Sequence, residues 1–269
     1  WTAVCDLPMH PKCGLSIDHH QSNRPGDNES RAMVVWKDAP SAARIAYELF
    51  HEVIDLSDLE DLLDWVDKLD SGSISHEEFL SHAPAVWLSR IVDSGEEVTA
   101  WVLEQLKSGV TIEEILADSR ISKLVTEKEG ELENLNEIIL SNMRIQDRIA
   151  VVRLDGSGIR SNGYHVTAVG GDRCDACMII HGDVGADFGD SDKYPVSASF
   201  YTNSFLHRRG GIYDLTALAT IFDSNGGGHA NACGCRIQPI EDGNVVDRDV
   251  SEDDIERNIS EWLKMWSKR

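Results

Sequence analysis

Carboxylate and imidazole side chains follow two predicted strands near the start of the chain. Asp6 ends a first short apolar run, and Asp18-His19-His20 ends a second one. In open α/β sheets, ligands bind at the carboxyl edge of the strands, so these side chains are expected to face one site. Carboxylate oxygens and imidazole nitrogens are ligands of Mn²⁺ and Mg²⁺. The pattern predicts a divalent metal site, and the alternative is a polar turn after a buried strand.

A further carboxylate continues the apolar face of a predicted helix. Leu59, Leu63, Val66 and Asp70 are spaced by four, three and four residues, and therefore share one face. A carboxylate directed at a core costs several kcal/mol unless it is paired or coordinated. Asp70 is therefore a candidate ligand. The alternative is a helix-end side chain that reaches solvent where the chain turns at Gly72.

Three consecutive glycines precede a histidine late in the chain. Gly226, Gly227 and Gly228 allow backbone N–H groups to approach an anion closely, and His229 follows them directly. This combination predicts a phosphate-binding segment. A glycine run alone more commonly forms a flexible turn.

The elements that must position these residues change in character along the chain. The first part carries two short strands followed by amphipathic helices, and the second part carries strands separated by Gly- and Asp-rich turns. Helix starts are marked by Ser41, by Ser57 or Asp58, by Thr111 with Glu114, and by Ser251 with Asp254. The predicted strands are residues 2–6, 14–18, 148–154, 166–169, 176–180, 196–201 and 233–237, and the remaining predicted helices include 98–106, 112–116, 127–145 and 215–222.

The charge balance limits the classes of partner. The 269 residues include 25 Lys and Arg and 47 Asp and Glu, a formal net charge of −22. Proteins that coat long nucleic acid or anionic membranes rely on an excess of basic residues, so extended duplexes and membranes are not expected partners. A short anionic substrate held through metal ions remains compatible with this charge. The acidic surface fits either salt adaptation or a simply self-repelling soluble protein.

The six cysteines do not suggest a disulfide scaffold in a chain of this length. A reducing cytoplasm is therefore the expected location. Cys174 and Cys177, together with Cys233 and Cys235, are a weaker candidate for a zinc site, because the second pair is spaced by only one residue.

Taken together, the motifs resemble those of the DHH phosphoesterase family. Asp18-His19-His20 looks like the motif that gives the family its name, and residues 225–234 look like the glycine-rich motif of its associated C-terminal domain. Asp6 resembles the preceding lone-Asp motif and Asp70 the last acidic motif. The resemblance spans essentially the whole chain, and the order of the motifs argues against coincidence.

The resemblance implies hydrolysis of phosphoester bonds with two Mn²⁺ ions, or Mg²⁺ in their place. Asp6 would bridge the metals, and His19 and Asp70 would be direct ligands. Asp18 would orient a ligand, and His20 would face the scissile phosphate.

The resemblance also implies an α/β architecture of two domains. Residues 1–126 would form a parallel-sheet metal domain that lacks its first strand, residues 127–147 a helical connector, and residues 148–269 a smaller mixed-sheet domain. Gly226, Gly227, Gly228 and His229 would grip a terminal nucleotide or phosphate, with the active site in the cleft between the domains. A homodimer is compatible with the family.

Two departures from the family pattern bear on activity. The first motif, His-x-Asp-x-Asp, is absent, so the chain is either a fragment that begins after it or a degenerate member. As it stands, the chain is expected to hold at most one metal weakly and to be inactive unaided. Tyr201 follows Phe200 where many members that act on small substrates carry Arg, and Arg208 or Arg209 is the expected substitute.

The preferred function is hydrolysis of short oligonucleotides, bisphosphonucleotides or cyclic dinucleotides. One alternative is a RecJ-like exonuclease on longer single strands, which would need a basic, aromatic-lined channel that the sequence does not show. The other is a catalytically inactive nucleotide-binding scaffold.

Overall fold

A computed structural model describes residues 2–20, 23–26, 32–92, 94–187, 189–190, 193–207 and 211–269. The chain divides into two compact units, residues 1–132 and 133–269. Each combines strands and helices, which confirms the predicted α/β class. None of the helices in the described ranges is long and apolar enough to cross a membrane.

The first unit contains a parallel sheet of three strands. β1 (Ala3–Cys5), β2 (Leu15–Asp18) and β3 (Met33–Trp36) lie in that order, with Cys5 opposite Ile17 and Asp18 opposite Trp36. The first two strands and their parallel sheet are as predicted, whereas β3 was not predicted. Because the strands are parallel, the residues that end β1 and β2 lie at the same edge of the sheet.

Helices make up the rest of this unit. Their bounds are α1 (Ala42–Phe50), α2 (Glu60–Asp70), α3 (His76–Leu80), α4 (Pro84–Val92), α5 (Glu96–Lys107) and α6 (Ile112–Ala117). The helix starts predicted at Ser41 and Thr111 are confirmed, since each hydroxyl accepts a hydrogen bond from a backbone N–H of the first turn. Neither Ser57 nor Asp58 caps α2, because a 3₁₀ turn (Ser57–Leu59) precedes it and the Ser57 hydroxyl donates to Asp55.

A helix of 24 residues, α7 (Ser119–Asn142), contains the division between the units. The predicted helical stretch to residue 145 is too long, because β4 (Met143–Gln146) forms a hairpin with β5 (Ile149–Arg153). Asp147 and Arg148 make the turn with φ values of 48° and 64°. Positive φ at both positions is the geometry that matches the twist of two-residue hairpins.

The second unit is built on a mixed sheet of six strands. The further strands are β6 (Ala176–His181), β7 (Ser197–Thr202), β8 (Gly227–His229) and β9 (Ala232–Arg236), and the order is β4-β5-β6-β7-β9-β8. Of the neighbouring pairs, only β5 and β6 run parallel. The remaining elements are α8 (Gly163–Gly170), α9 (Thr216–Ala219), the small hairpin of β10 (Ile240–Glu241) and β11 (Asn244–Val245), and α10 (Glu252–Trp266).

The strand predicted at residues 166–169 is wrong, since these residues belong to α8. Val166, Thr167 and Val169 favour strands intrinsically, but tertiary context overrides this weak preference. The Asn162 side chain accepts a hydrogen bond from the His165 backbone and caps the helix, and Gly163 lets α8 contact Tyr201 directly.

Two apolar clusters cover the faces of the six-stranded sheet. The larger contains Phe200 together with Trp262 and Trp266 of α10. The helix start predicted at Ser251 with Asp254 is confirmed, since the Asp254 carboxylate accepts from the Ser251 N–H. Cys233 and Cys235 belong to the larger cluster, whereas Cys174 and Cys177 belong to the other one. Successive strand residues alternate between faces, so the two pairs lie on opposite sides of the sheet and the zinc interpretation is wrong.

An ion pair between Arg148 and the buried carboxylate of Asp175 holds the hairpin of β4 and β5 to the start of β6. Arg148 donates from Nε and Nη2 to the two carboxylate oxygens of Asp175, at 2.8 and 2.7 Å, and His207 Nε2 lies 3.0 Å from Oδ1. The hydrogen bonds from Arg148 lower the pKa of Asp175 to about 2 against the effect of burial, and His207 adds to this.

We expect Asp175→Asn to lower the free energy of unfolding by about 2 kcal/mol at pH 7, because it removes charge-assisted hydrogen bonds from a buried site. The folded-state pKa lies below the unfolded value of about 4, so this stabilisation is present above about pH 4 and is lost as pH falls towards 2. Urea unfolding across this range measures it. The exposed Asp172→Asn serves as the control, and equal effects of the two substitutions would contradict the interpretation.

Candidate metal centre and active site

Asp6 reaches the site through an unusual backbone conformation. It follows β1 directly and has φ 63°, while its N–H donates to the Ile17 carbonyl at 3.0 Å. Positive φ is uncommon for residues other than glycine but is tolerated by aspartate, and such conformations concentrate at functional sites. The turn brings Asp6 Oδ1 within 3.3 Å of His19 Nε2.

His19 occupies the centre of the cluster. Its Nδ1 lies 3.0 Å from the Ala39 carbonyl oxygen, which can only accept, so Nδ1 carries the hydrogen. In the neutral ring, Nε2 then presents a lone pair. This atom lies 3.3 Å from both Asp6 Oδ1 and Asp70 Oδ2, and yet it is buried without a hydrogen-bond partner. A buried lone pair between two acceptors is a poor arrangement by itself and a good one for a cation.

Asp18 is buried behind the cluster and orients His20. Its Oδ1 accepts from the His20 backbone N–H and from His20 Nδ1, both at 2.8 Å, and its Oδ2 accepts from Asn23 at 2.6 Å. Burial acts to raise the pKa of Asp18, but these hydrogen bonds outweigh it and lower the pKa. The ionised carboxylate thus fixes the hydrogen of His20 on Nδ1 and sets the direction of the ring.

Asp70 comes from the last turn of α2 and meets His19, as the apolar stripe suggested. Burial raises the pKa of Asp70, the neighbouring His19 opposes this, and the nearby Asp6 carboxylate adds to it. Asp67, one turn earlier, instead accepts hydrogen bonds from Ser41 and Arg44. The helix therefore directs one carboxylate to the site and uses the other to hold α1.

The donor set fits the divalent metal that the resemblance implies. Asp6, His19 and His20 each offer a possible metal-ligand atom, and these three atoms all lie within 4.8 Å of one another. Among the described residues, this is the cluster of acidic, histidine or cysteine side chains that could hold a metal ion. Oxygen and neutral imidazole donors suit Mn²⁺ and Mg²⁺. The unpartnered Nε2 of His19 is the observation at this cluster that a bound cation would satisfy.

The glycine segment (residues 226–229) lies in the second unit and is partly a strand. β8 pairs antiparallel with β9, with Gly228 opposite Cys233. A Cβ on Gly226 would collide with the Ala219 carbonyl, and one on Gly228 would lie 2.6 Å from the Ala232 carbonyl oxygen. A Cβ on Gly227 would meet no atom within 4 Å, and this residue pairs with Gly234 of β9. Two of the glycines thus allow close backbone packing, and the third borders open space.

Three positioning contacts were not found from the sequence. The Ala39 carbonyl fixes the ring of His19, Asn23 holds Asp18, and the buried Asp223 accepts hydrogen bonds from the backbones of Asn225 and Arg236 beside the glycine segment. Nothing local marks Ala39, because its contact depends on tertiary structure. Asp223 does carry a signal, since Asp two residues before Asn at a turn is typical of a side chain that binds its own backbone.

Tyr201 packs against Gly163, and burial raises the pKa of its hydroxyl. The expected substitutes for the missing arginine, Arg208 and Arg209, lie outside the described residues.

Comparison with known proteins shows the fold. The chain matches no protein-family model and no curated protein. It is similar to a pGpG-specific phosphodiesterase from Vibrio cholerae, with a TM-score of 0.66 and 18% identity over 98% of this chain and 82% of that one. The DHH domain of a protein from a family of ribosomal proteins matches with a TM-score of 0.46 and 15% identity, over 93% of this chain and 63% of that one. The first similarity shows that the chain has the α/β fold of that phosphodiesterase.

We expect this chain to bind Mn²⁺ in solution, and His19→Ala or Asp70→Asn to weaken the binding at least about tenfold, because each removes a ligand atom from a small donor set. Isothermal titration calorimetry and the Mn²⁺ electron paramagnetic resonance signal measure it. Asp61→Asn, an exposed carboxylate on the same helix as Asp70, is the matched control. Equal affinity of all four proteins would show that the cluster is not a metal site.

Proposed function

We propose that this protein is a DHH-type, metal-dependent phosphodiesterase that hydrolyses short nucleotide substrates such as a linear dinucleotide. The buried His19 Nε2 between the Asp6 and Asp70 carboxylates is the observation that carries the proposal. The shared fold of a pGpG-specific phosphodiesterase supports it.

Asp6, His19 and Asp70 would hold the metal, and Asp6 would also contribute a ligand to a second ion. When bound, divalent ions of this kind lower the pKa of a coordinated water and neutralise charge on the phosphate oxygens. The side chains themselves keep the donor atoms in position before any ligand arrives, since Ala39 fixes His19 and the fold of α2 fixes Asp70. Mn²⁺ is the proposed metal and Mg²⁺ the second choice.

His20 and Asp18 would serve the reacting phosphate. Asp18 binds the Nδ1 side of the His20 ring, so the opposite side of the ring is the one that can meet substrate. A hydrogen bond from this ring to a phosphate oxygen would stabilise negative charge as it develops, or assist the leaving oxygen. Such a hydrogen bond requires a hydrogen on Nε2 in addition to the one that Asp18 holds on Nδ1.

The second unit would bind the end of the substrate. Gly227 borders open space and Gly228 is exposed beside His229, and backbone N–H groups in a glycine-rich segment would bind phosphate. Recognition of an end would make the enzyme act from one end of its substrate. The net charge of −22 favours short substrates, since a long polyanion would be repelled over most of its length.

The alternative substrates are bisphosphonucleotides and cyclic dinucleotides. The alternative functions are a RecJ-like exonuclease and an inactive nucleotide-binding scaffold. The name of the similar phosphodiesterase favours a linear dinucleotide among these. Cytoplasmic location and a homodimer stay predictions.

We expect the complete gene product to hydrolyse pGpG with Mn²⁺ and to be inactive in EDTA, and His20→Ala to lower kcat about 100- to 10,000-fold, as is typical of lost acid–base or charge-stabilising groups. Product formation is followed by chromatography, with this 269-residue chain and the exposed variant His51→Ala run alongside.

A 24-mer single strand and a bisphosphonucleotide complete the substrate set. Faster hydrolysis of the 24-mer would favour the exonuclease, and faster hydrolysis of the bisphosphonucleotide a phosphatase. A gene product inert towards all three substrates would contradict the proposed enzyme.

A further inference from the structure

A pocket of about 270 Å³ lies within the second unit, separate from the glycine segment. Its lining comes from the loop after β5, which contributes Gly158 and Arg160, and from the segment that enters β7, which contributes Tyr194 and Ser197. Arg236, the last residue of β9, completes the lining. Strand ends and connecting loops of a sheet thus surround it, as is common for ligand sites in α/β proteins.

Backbone hydrogen bonds hold the walls of the pocket in place. Gly182 accepts from the Gly156 N–H at 2.8 Å, and the Asp183 N–H donates to the Tyr194 carbonyl at 2.8 Å. Gly182 has φ 88°, and a Cβ there would lie 2.5 Å from the Pro195 carbonyl oxygen. The three segments are therefore tied together and form a pocket without a ligand, which lowers the entropic cost of binding.

Arg160 gives this pocket an unusual charge. Most arginines in the described ranges pair with carboxylates, but no carboxylate in those ranges lies within ion-pair distance of Arg160. Its guanidinium lies over the Tyr194 ring instead, 5.1 Å from the centroid. The planar guanidinium with its fixed fork of donors suits a phosphate group, which it can bind through two parallel hydrogen bonds.

Hydrogen-bond acceptors stand beside this cation. His181 is 3% exposed and lies directly opposite Ser197 in the pairing of β6 and β7, so both side chains project from the same face. The His181 ring forms a hydrogen bond with the Ile159 backbone, and its Nδ1 has no hydrogen-bond partner. Burial and the charge of Arg160 lower the pKa of His181 to about 4. At neutral pH this ring is uncharged and can accept from a hydroxyl or amino group. Asp183 lines the pocket as a further acceptor.

We propose that this pocket binds the phosphate-bearing end of a nucleotide, with Arg160 on the phosphate, Tyr194 beside the base or the sugar, and Asp183 as an acceptor for sugar hydroxyls or base amino groups. A cation, an aromatic ring and a carboxylate that line one small cavity match the three parts of a nucleotide better than they match an inorganic anion. The choice of a nucleotide rests on the proposed function, whereas the pocket and its charge do not.

Binding in the absence of metal tests the proposal. GMP, guanosine and inorganic phosphate are titrated into this chain in EDTA, and we expect GMP to bind at least about tenfold more tightly than either of the others, because only GMP engages all parts of the pocket. Arg160→Gln should weaken GMP binding about tenfold or more while leaving guanosine binding unchanged, since a hydrogen-bonded charge pair is lost. Arg160→Lys keeps the charge but not the two parallel donors of the guanidinium. It should bind GMP with an affinity between those of the wild type and Arg160→Gln.

Arg173→Gln is the matched control, because Arg173 precedes the opposite end of β6 and donates to the carbonyls of Val169 and Gly170. Thermal unfolding of each variant identifies loss of folding. Equal affinity of the wild type and Arg160→Gln for GMP, or equal affinity for GMP and phosphate, would overturn the proposal. Binding of GMP that depends on Arg160, in a gene product that hydrolyses nothing, would support the pocket and overturn the proposed function instead.

Discussion

The central physical constraint in this protein is a buried imidazole nitrogen that faces two carboxylates. His19 Nε2 lies 3.3 Å from Asp6 and from Asp70, and in the neutral ring this nitrogen carries no hydrogen, because Nδ1 donates to the Ala39 carbonyl. A buried acceptor that faces other acceptors is destabilising unless a proton or a cation joins them. The local structure maintains this arrangement at three separate points, the left-handed turn at Asp6, the end of β2 and the last turn of α2.

The surrounding fold explains how residues far apart in sequence reach this point. Parallel pairing of β1 and β2 places Asp6 beside the end of the second strand, and the buried Asp18 uses its hydrogen bonds to hold His20 at the same edge. The Asp67 carboxylate and Arg44 hold α2 against α1, so that Asp70, one turn later, is fixed in direction. The site is thus a product of sheet topology and helix packing, and it does not rely on a flexible loop for its ligands.

Much of this arrangement could be predicted from the sequence because it depends on periodicity. The two strand ends and the helical stripe that includes Asp70 each place a polar group where an apolar one is expected. That departure can be read from the sequence alone. The contacts that refine the site could not be predicted, because Ala39 acts through its carbonyl and any residue type would supply one. Local preference also misled at residues 166–169, where β-branched residues form α8 because Asn162 caps the helix and Gly163 permits close packing. The glycine segment was expected to be a phosphate-binding turn, whereas β8 takes up part of it.

A manganese anomalous difference map from crystals of this protein grown or soaked with Mn²⁺ tests the central claim most directly. The account predicts a peak within coordination distance, about 2.0–2.3 Å, of His19 Nε2 and of carboxylate oxygens of Asp6 and Asp70. A map with no peak at this cluster, or with His19 Nε2 occupied by a hydrogen bond to a protein group instead, would contradict it.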